Sequence, residues 1–143
     1  MVDVYDSILL PTDGSAGTAT ARDHAIGLAR DQGATLHVLH VVDVLSPAAS
    51  LHEMIEARLT ERGEELVEAV AETARDHGVT VQTAVVEGEP AERIVEYAAS
   101  VGVDVVVMPT HGRSGLQKSI IGSVTDRVVR TGDVPVVVVS FDG

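Results

Sequence analysis

The residues with the most chemistry in this sequence fall in two short stretches. The longer is Pro109-Thr110-His111-Gly112-Arg113-Ser114-Gly115-Leu116-Gln117-Lys118-Ser119-Ile120-Ile121-Gly122-Ser123. Gly112 and Gly115 allow a ligand close to the backbone, and Gly122 permits a tight turn into a helix. Ser123-Val124-Thr125-Asp126 has the spacing of a capping box, with Ser123 as the expected N-cap. A helix N-terminus that follows glycine offers unpaired N–H groups and the positive end of the helix dipole, which suits phosphate. The same residues equally suit a loop whose glycines serve turns and whose serine only caps. The shorter stretch is Pro11-Thr12-Asp13-Gly14-Ser15. The Asp13 carboxylate can accept hydrogen bonds from ribose hydroxyls or bind a cation; with equal claim it closes an Asx-turn or caps the following helix.

Other chemistry is excluded by what the spacing lacks. Gly112 to Ser119 approaches the phosphate-loop pattern GxxxxGK[ST] but carries Gln117 where the backbone of that loop needs glycine. His37 and His40 stand three apart in a strand-like run, so they point to opposite faces and cannot chelate one metal. His24, His52 and His77 are scattered, and only His111 falls in a candidate loop. Without cysteine the chain has no disulfide, thiolate metal site or thiol nucleophile. No Ser-His-Asp arrangement is legible, and no metal held by protein ligands alone is expected.

Charge narrows the partners. The 143 residues include 22 Asp and Glu against 10 Lys and Arg, a formal net charge of −12, and Lys118 is the only lysine. Such a chain repels nucleic-acid phosphates and anionic membranes, and no basic stripe overrides this. Acid-rich, lysine-poor composition with few aromatics predicts a protein kept soluble in strong salt, where self-repulsion is screened. Hydrophobic residues, 45% of the chain, never run unbroken for the roughly 20 needed to span a bilayer. The acidic start Met1 to Asp6 does not read as a secretory signal. One cytoplasmic domain over residues 1–143 is the expectation.

The elements that must position these residues alternate. Val4–Leu10, Leu36–Val42, Val79–Val86, Val103–Met108 and Val134–Val139 read as strands. Between them run helical patterns over Ala16–Asp31, from a capping box at Ser50–Glu53 to Gly78, from Pro90 to about Gly102, and over about Val124–Arg130. Ala29-Arg30-Asp31-Gln32-Gly33-Ala34-Thr35 is echoed by Ala74-Arg75-Asp76-His77-Gly78-Val79-Thr80, one helix-to-strand joint built twice on a left-handed glycine. Near-continuous valine in the later strands means burial on both faces, hence a parallel sheet between helices: a doubly wound, flavodoxin-like α/β fold. In such folds the ligand sits beyond the carboxyl ends of the strands, where the strand order reverses.

With the motifs in this order the chain resembles the universal stress protein family, of the nucleotide-binding type. The likeness rests on Ile8-Leu9-Leu10-Pro11-Thr12-Asp13-Gly14-Ser15, Leu39-His40-Val41-Val42-Asp43, Val103 to Met108 with Thr110 to Leu116, Gly122-Ser123-Val124-Thr125, and Val134 to Val139. It implies the strand order 3-2-1-4-5 of an adenine nucleotide alpha hydrolase-like sheet. It also implies ATP, with Mg²⁺ or Mn²⁺ bound through the phosphates. Asp13 and the backbone near Pro109 would hold ribose, and the Val41 backbone would meet adenine, with Pro11 and Thr12 also counted in the nucleotide site. Gly112, Gly115, Gly122, Ser123 and Val124 would line the phosphates, Ser123 giving its hydroxyl, and Arg113 and Thr125 complete the nucleotide site. Pro109 stands where the family motif has glycine; it has no N–H and a fixed φ, but its carbonyl can still accept from ribose.

Three functions follow from the resemblance. The chain is an ATP-binding stress-response module, a stress protein that binds partners and no nucleotide, or a sensor of AMP or another adenosine ligand. No positioned general base or arginine finger is legible, so hydrolysis is expected to be slow or absent. Arg113 and Lys118 can neutralise phosphate or be solvated loop charges. The resemblance places the fifth strand, Val134 to Val139, at a sheet edge and implies that it pairs with the same strand of a second copy in a homodimer; its lack of charge leaves nothing to deter that pairing.

Overall fold

The computed structural model of the chain describes residues 5–43, 49–110 and 122–140. Its elements alternate as expected: β1 (Ser7–Pro11), α1 (Ala16–Gln32), β2 (Thr35–Val42), α2 (Ala49–Asp76), β3 (Val81–Glu87), α3 (Pro90–Val101), β4 (Val105–Pro109), α4 (Ser123–Thr131) and β5 (Val136–Val139). The five strands form one sheet in the order β3-β2-β1-β4-β5, and every pairing is parallel. The order reverses beside β1, so the switch point lies between the carboxyl ends of β1 and β4.

Burial explains why the strands read as apolar runs. One face of the sheet sets Ile8, Leu10, Leu36, Val38, Val105 and Val107 against Ala21, Ala25 and Ala29 of α1 and Val67, Val70 and Ala74 of α2. The other sets Leu9, Leu39, Val106 and Met108 against Ala91, Ile94 and Ala98 of α3 and Val128 of α4. Consecutive strand residues therefore serve opposite cores, and both cores want apolar side chains. The alanines on α1 and α3 let those helices lie close to the sheet.

The helix-to-strand joints repeat as the sequence echo predicts. Gly33 and Gly78 both adopt left-handed φ, at 66° and 78°. In each joint the glycine N–H and the next N–H turn back to the helix end: Gly33 to Arg30 and Ala34 to Ala29, Gly78 to Arg75 and Val79 to Ala74.

Two capping expectations are corrected. α2 begins at Ala49, so Ser50 is already helical and does not cap. In α4 the N-cap is Gly122 and Ser123 is the first helical residue; the Asp126 N–H donates to the Gly122 carbonyl at 2.8 Å. The serine-to-acid spacing is one residue out of register with the helix, because Gly122 takes up the extended backbone that an N-cap needs.

Candidate functional site

The site is built where β1 stops. Thr12 N–H donates to the Leu39 carbonyl at 2.8 Å, the last bond of the β1–β2 ladder. In a parallel ladder alternate residues serve alternate neighbours, so Ile8, Leu10 and Thr12 face β2, while Ser7, Leu9 and Pro11 face β4. On β4 the Val106 N–H donates to Pro135, so Val106 and Met108 face β5, while Val107 and Pro109 face β1. The next rungs between β1 and β4 would thus need the N–H of Pro11 and the N–H of Pro109. Neither exists. The pairing accordingly ends at Ile8 with Val105 and Leu9 with Val106, short of the carboxyl ends of both strands. Proline at 109 is therefore no defect in the sheet: with Pro11 it ends the β1–β4 pairing at the switch point.

Asp13 stands just past the end of β1, half-buried, and its Oδ1 accepts from the Ser15 N–H at 2.8 Å. That is the Asx-turn alternative, realised; it also starts α1, whose N-cap Ser15 makes no side-chain capping bond. Buried Thr12 organises the same turn, its Oγ1 accepting from the Gly14 N–H at 3.3 Å. Gly14 has φ +79°, and a Cβ there would stand 2.8 Å from the Leu66 side chain of α2. Glycine is thus required both by the turn and by the helix pressed upon it.

Val41 supplies the second wall. Leu36 N–H donates to Thr80, and Gly88 N–H donates to Val42, so the even residues of β2 serve β3. Val41 therefore aims its N–H and C=O toward β1, one rung beyond the point where β1 has ended. Among the described residues nothing pairs with them. One strand residue with a free donor and a free acceptor on the same side matches the acceptor–donor edge of adenine.

The third wall is the start of α4. The Thr125 hydroxyl donates to the Pro109 carbonyl at 2.8 Å and is buried, which fixes the first turn of α4 to the end of β4. The Gly122 N–H donates to the Thr110 carbonyl, so the chain leaves and re-enters the described structure at one place. Ser123, Val124 and Thr125 occupy the first turn, where N–H groups have no intrahelical acceptor. These are the donors a phosphate would use. Sequence reasoning counted Thr125 in the nucleotide site but missed its hydroxyl's bond to β4; the sequence signal is a small polar residue on an otherwise apolar helix face. Gly112, Arg113 and Gly115 lie outside the described residues, as do His111 and Lys118.

His37 and His40 do point to opposite faces. His37 is buried with its ring edge-on to Tyr97 of α3, centroids 6.2 Å apart, and among the described residues its Nδ1 has no partner. Burial holds its pKa below the ordinary 6.5, since the charged form would be desolvated. His40 faces α2 and bonds the Thr12 carbonyl through Nδ1 at 2.8 Å.

A sequence model of the universal stress protein family matches residues 5–140. This chain belongs to the universal stress protein family. Among its relatives, universal stress protein MJ0531 of Methanocaldococcus jannaschii is 38% identical over 141 residues, spanning 96% of this chain and 83% of that protein. The solved structure of MJ0577 superposes with a TM-score of 0.87 at 29% identity, covering 98% of this chain and 99% of the other. A universal stress protein solved in complex with cAMP superposes with a TM-score of 0.73 at 25% identity, covering 95% and 97% of the two chains. The five-stranded parallel order is thus that of the family. No described helix is long and apolar enough to cross a membrane.

Proposed function

We propose that this universal stress protein is a cytoplasmic, single-domain stress-response module that binds ATP at the β1/β4 switch point. The observation that carries the reading is the pair of unmatched backbone sets there: the N–H and C=O of Val41 on one side of Asp13, and the first-turn amides of α4 beyond Pro109. The first suits adenine and the second suits phosphate. Asp13 and the Pro109 carbonyl would hold the ribose that joins them. In this reading Mg²⁺ or Mn²⁺ rides on the phosphate oxygens, Gly112, Gly115 and Gly122 admit the phosphates to the backbone, and Arg113 offsets their charge. The family member solved with cAMP supports a second reading, an AMP-type sensor that uses the adenosine half alone.

The module is proposed to work as a homodimer through β5. Among the described residues that strand pairs only with β4, which leaves its outer edge unpaired there, and Val138 on it and Val129 on α4 are exposed.

Mass analysis of the nucleotide released when the purified protein is denatured tests the reading. ATP supports it, AMP or cAMP supports the second reading, and no nucleotide from a protein that also fails to bind added ATP overturns both. Gly122→Val refines the test. Gly122 has φ −59°, which valine tolerates, so the fold should persist while the side chain blocks the phosphates. Unchanged ATP affinity by calorimetry would remove the phosphate assignment.

A further inference from the structure

We propose that His40 is a positioning residue that keeps the Val41 amide free for a ligand by occupying the Thr12 carbonyl. The inference rests on the nucleotide reading above for its consequence, but not for its geometry. Counting rungs, Thr35 N–H donates to Asp6, and Thr12 N–H donates to Leu39. The rung that comes next in a parallel ladder is Val41 N–H to the Thr12 carbonyl. It is not made. The Thr12 carbonyl instead accepts from His40 Nδ1 at 2.8 Å, and since a carbonyl only accepts, Nδ1 carries the proton.

The imidazole is held to this task from behind. A Cβ built on Gly63, in the middle of α2, would lie 2.6 Å from His40 Cδ2 and 3.1 Å from Val85 Cγ1. Gly63 is thus the socket for the ring, and the ring has no room to swing back into the helix. Leu66, one turn further along α2, covers Gly14. The same helix therefore presses on both ends of the Thr12 turn. β1 is capped by a side chain one residue before it would otherwise zip onto Val41, and among the described residues the donor–acceptor edge of Val41 is left unpaired beyond the end of β1.

The expectation separates this role from packing. Asparagine places an amide N–H about where Nδ1 sits, whereas glutamine places it about where Nε2 sits. His40→Asn should keep the bond to Thr12 and His40→Gln should lose it, although both remove the ring. In the ligand-free protein, hydrogen exchange of the Val41 amide followed by NMR should be fast in the wild type and in His40→Asn. In His40→Gln it should slow by about tenfold or more as the missing rung forms. Nucleotide selectivity gives the second readout. ITP presents a carbonyl where ATP presents an amino group, so the free Val41 edge should favour ATP by about tenfold for one ordinary hydrogen bond. His40→Asn should keep that preference and His40→Gln should lose most of it.

Equal Val41 exchange in the two variants overturns the proposal, whatever binds. So does a wild-type preference that both variants retain, or that both lose alike, since the ring would then act only by filling space. A wild type that binds neither ATP nor ITP fails the nucleotide reading instead, and the exchange comparison still decides the role of His40.

Discussion

Two glycines inside helices should respond to the same substitution with opposite signs. Gly27 lies in α1 and a Cβ there would meet nothing within 4 Å. Gly27→Ala should therefore gain the ordinary helix-propensity difference, about 0.8–1 kcal/mol, partly by restricting the unfolded chain. Gly63→Ala receives the same credit but must fit a methyl 2.6 Å from His40 Cδ2 and 3.1 Å from Val85 Cγ1. The ring could give way only by breaking its 2.8 Å bond to Thr12, worth about 1 kcal/mol. Overpacking of this kind costs about 1–3 kcal/mol in total, so the clash wins and the net loss is roughly 1 kcal/mol. At this chain length a change of 1 kcal/mol moves the midpoint by about 3–4 °C. Thermal melts and urea titrations of the two variants should diverge accordingly, Gly27→Ala upward and Gly63→Ala downward. In a His40→Ala background Gly63→Ala should recover most of its loss, because the obstructing ring is gone. If Gly63→Ala stabilises the wild type as much as Gly27→Ala, the packing of His40 into α2 is wrong.

Further expectations follow from other contacts. Thr125→Val keeps the shape but removes the buried bond to Pro109; a loss of about 1–2 kcal/mol is expected in urea unfolding, and an unchanged midpoint would detach α4 from β4. His37 has its folded pKa depressed by burial, so the unfolded chain takes up the proton first. Its contribution is intact above pH 6.5, is lost as pH falls below that toward the folded value, and then levels off; His37→Phe should flatten the stability profile in that window, and an identical slope would refute the assignment. With a net charge of −12, the melting temperature should rise from dilute buffer to molar KCl as repulsion is screened; a flat response would contradict the high-salt reading. Val138→Lys on the exposed edge of β5 should halve the mass seen by light scattering, and a wild type of 15.0 kDa would refute the dimer.

The alternation of strands and helices was legible because it is carried by local signals. The two glycine joints and the valine runs of β4 and β5 each announce their own geometry, and both cores demand apolar residues of every central strand. Element ends were less legible: Ser123 has the right chemistry for a cap, but Gly122 holds that position, and Ser50 falls inside the helix that begins at Ala49. In the site, Asp13 and Thr125 were identifiable by type. What each does depends on a partner far off in sequence, such as Pro109 for Thr125. The part played by His40 was invisible for the same reason. It exists only in relation to Thr12 and Gly63, and no spacing along the chain encodes that triangle.

The missing donors of Pro11 and Pro109 bear on how fast a ligand can enter. An ordinary pair of parallel strands at this position would have to unzip before anything could reach between them, and arrival would wait on that opening. Here those rungs cannot form at all, because the missing donors are fixed in the covalent chain. Occupancy then needs no prior excursion to a rarer open form at these strand ends. Entry through them becomes a matter of encounter and electrostatics, and for an anionic ligand approaching a chain of net charge −12 the ionic strength of the medium sets the pace.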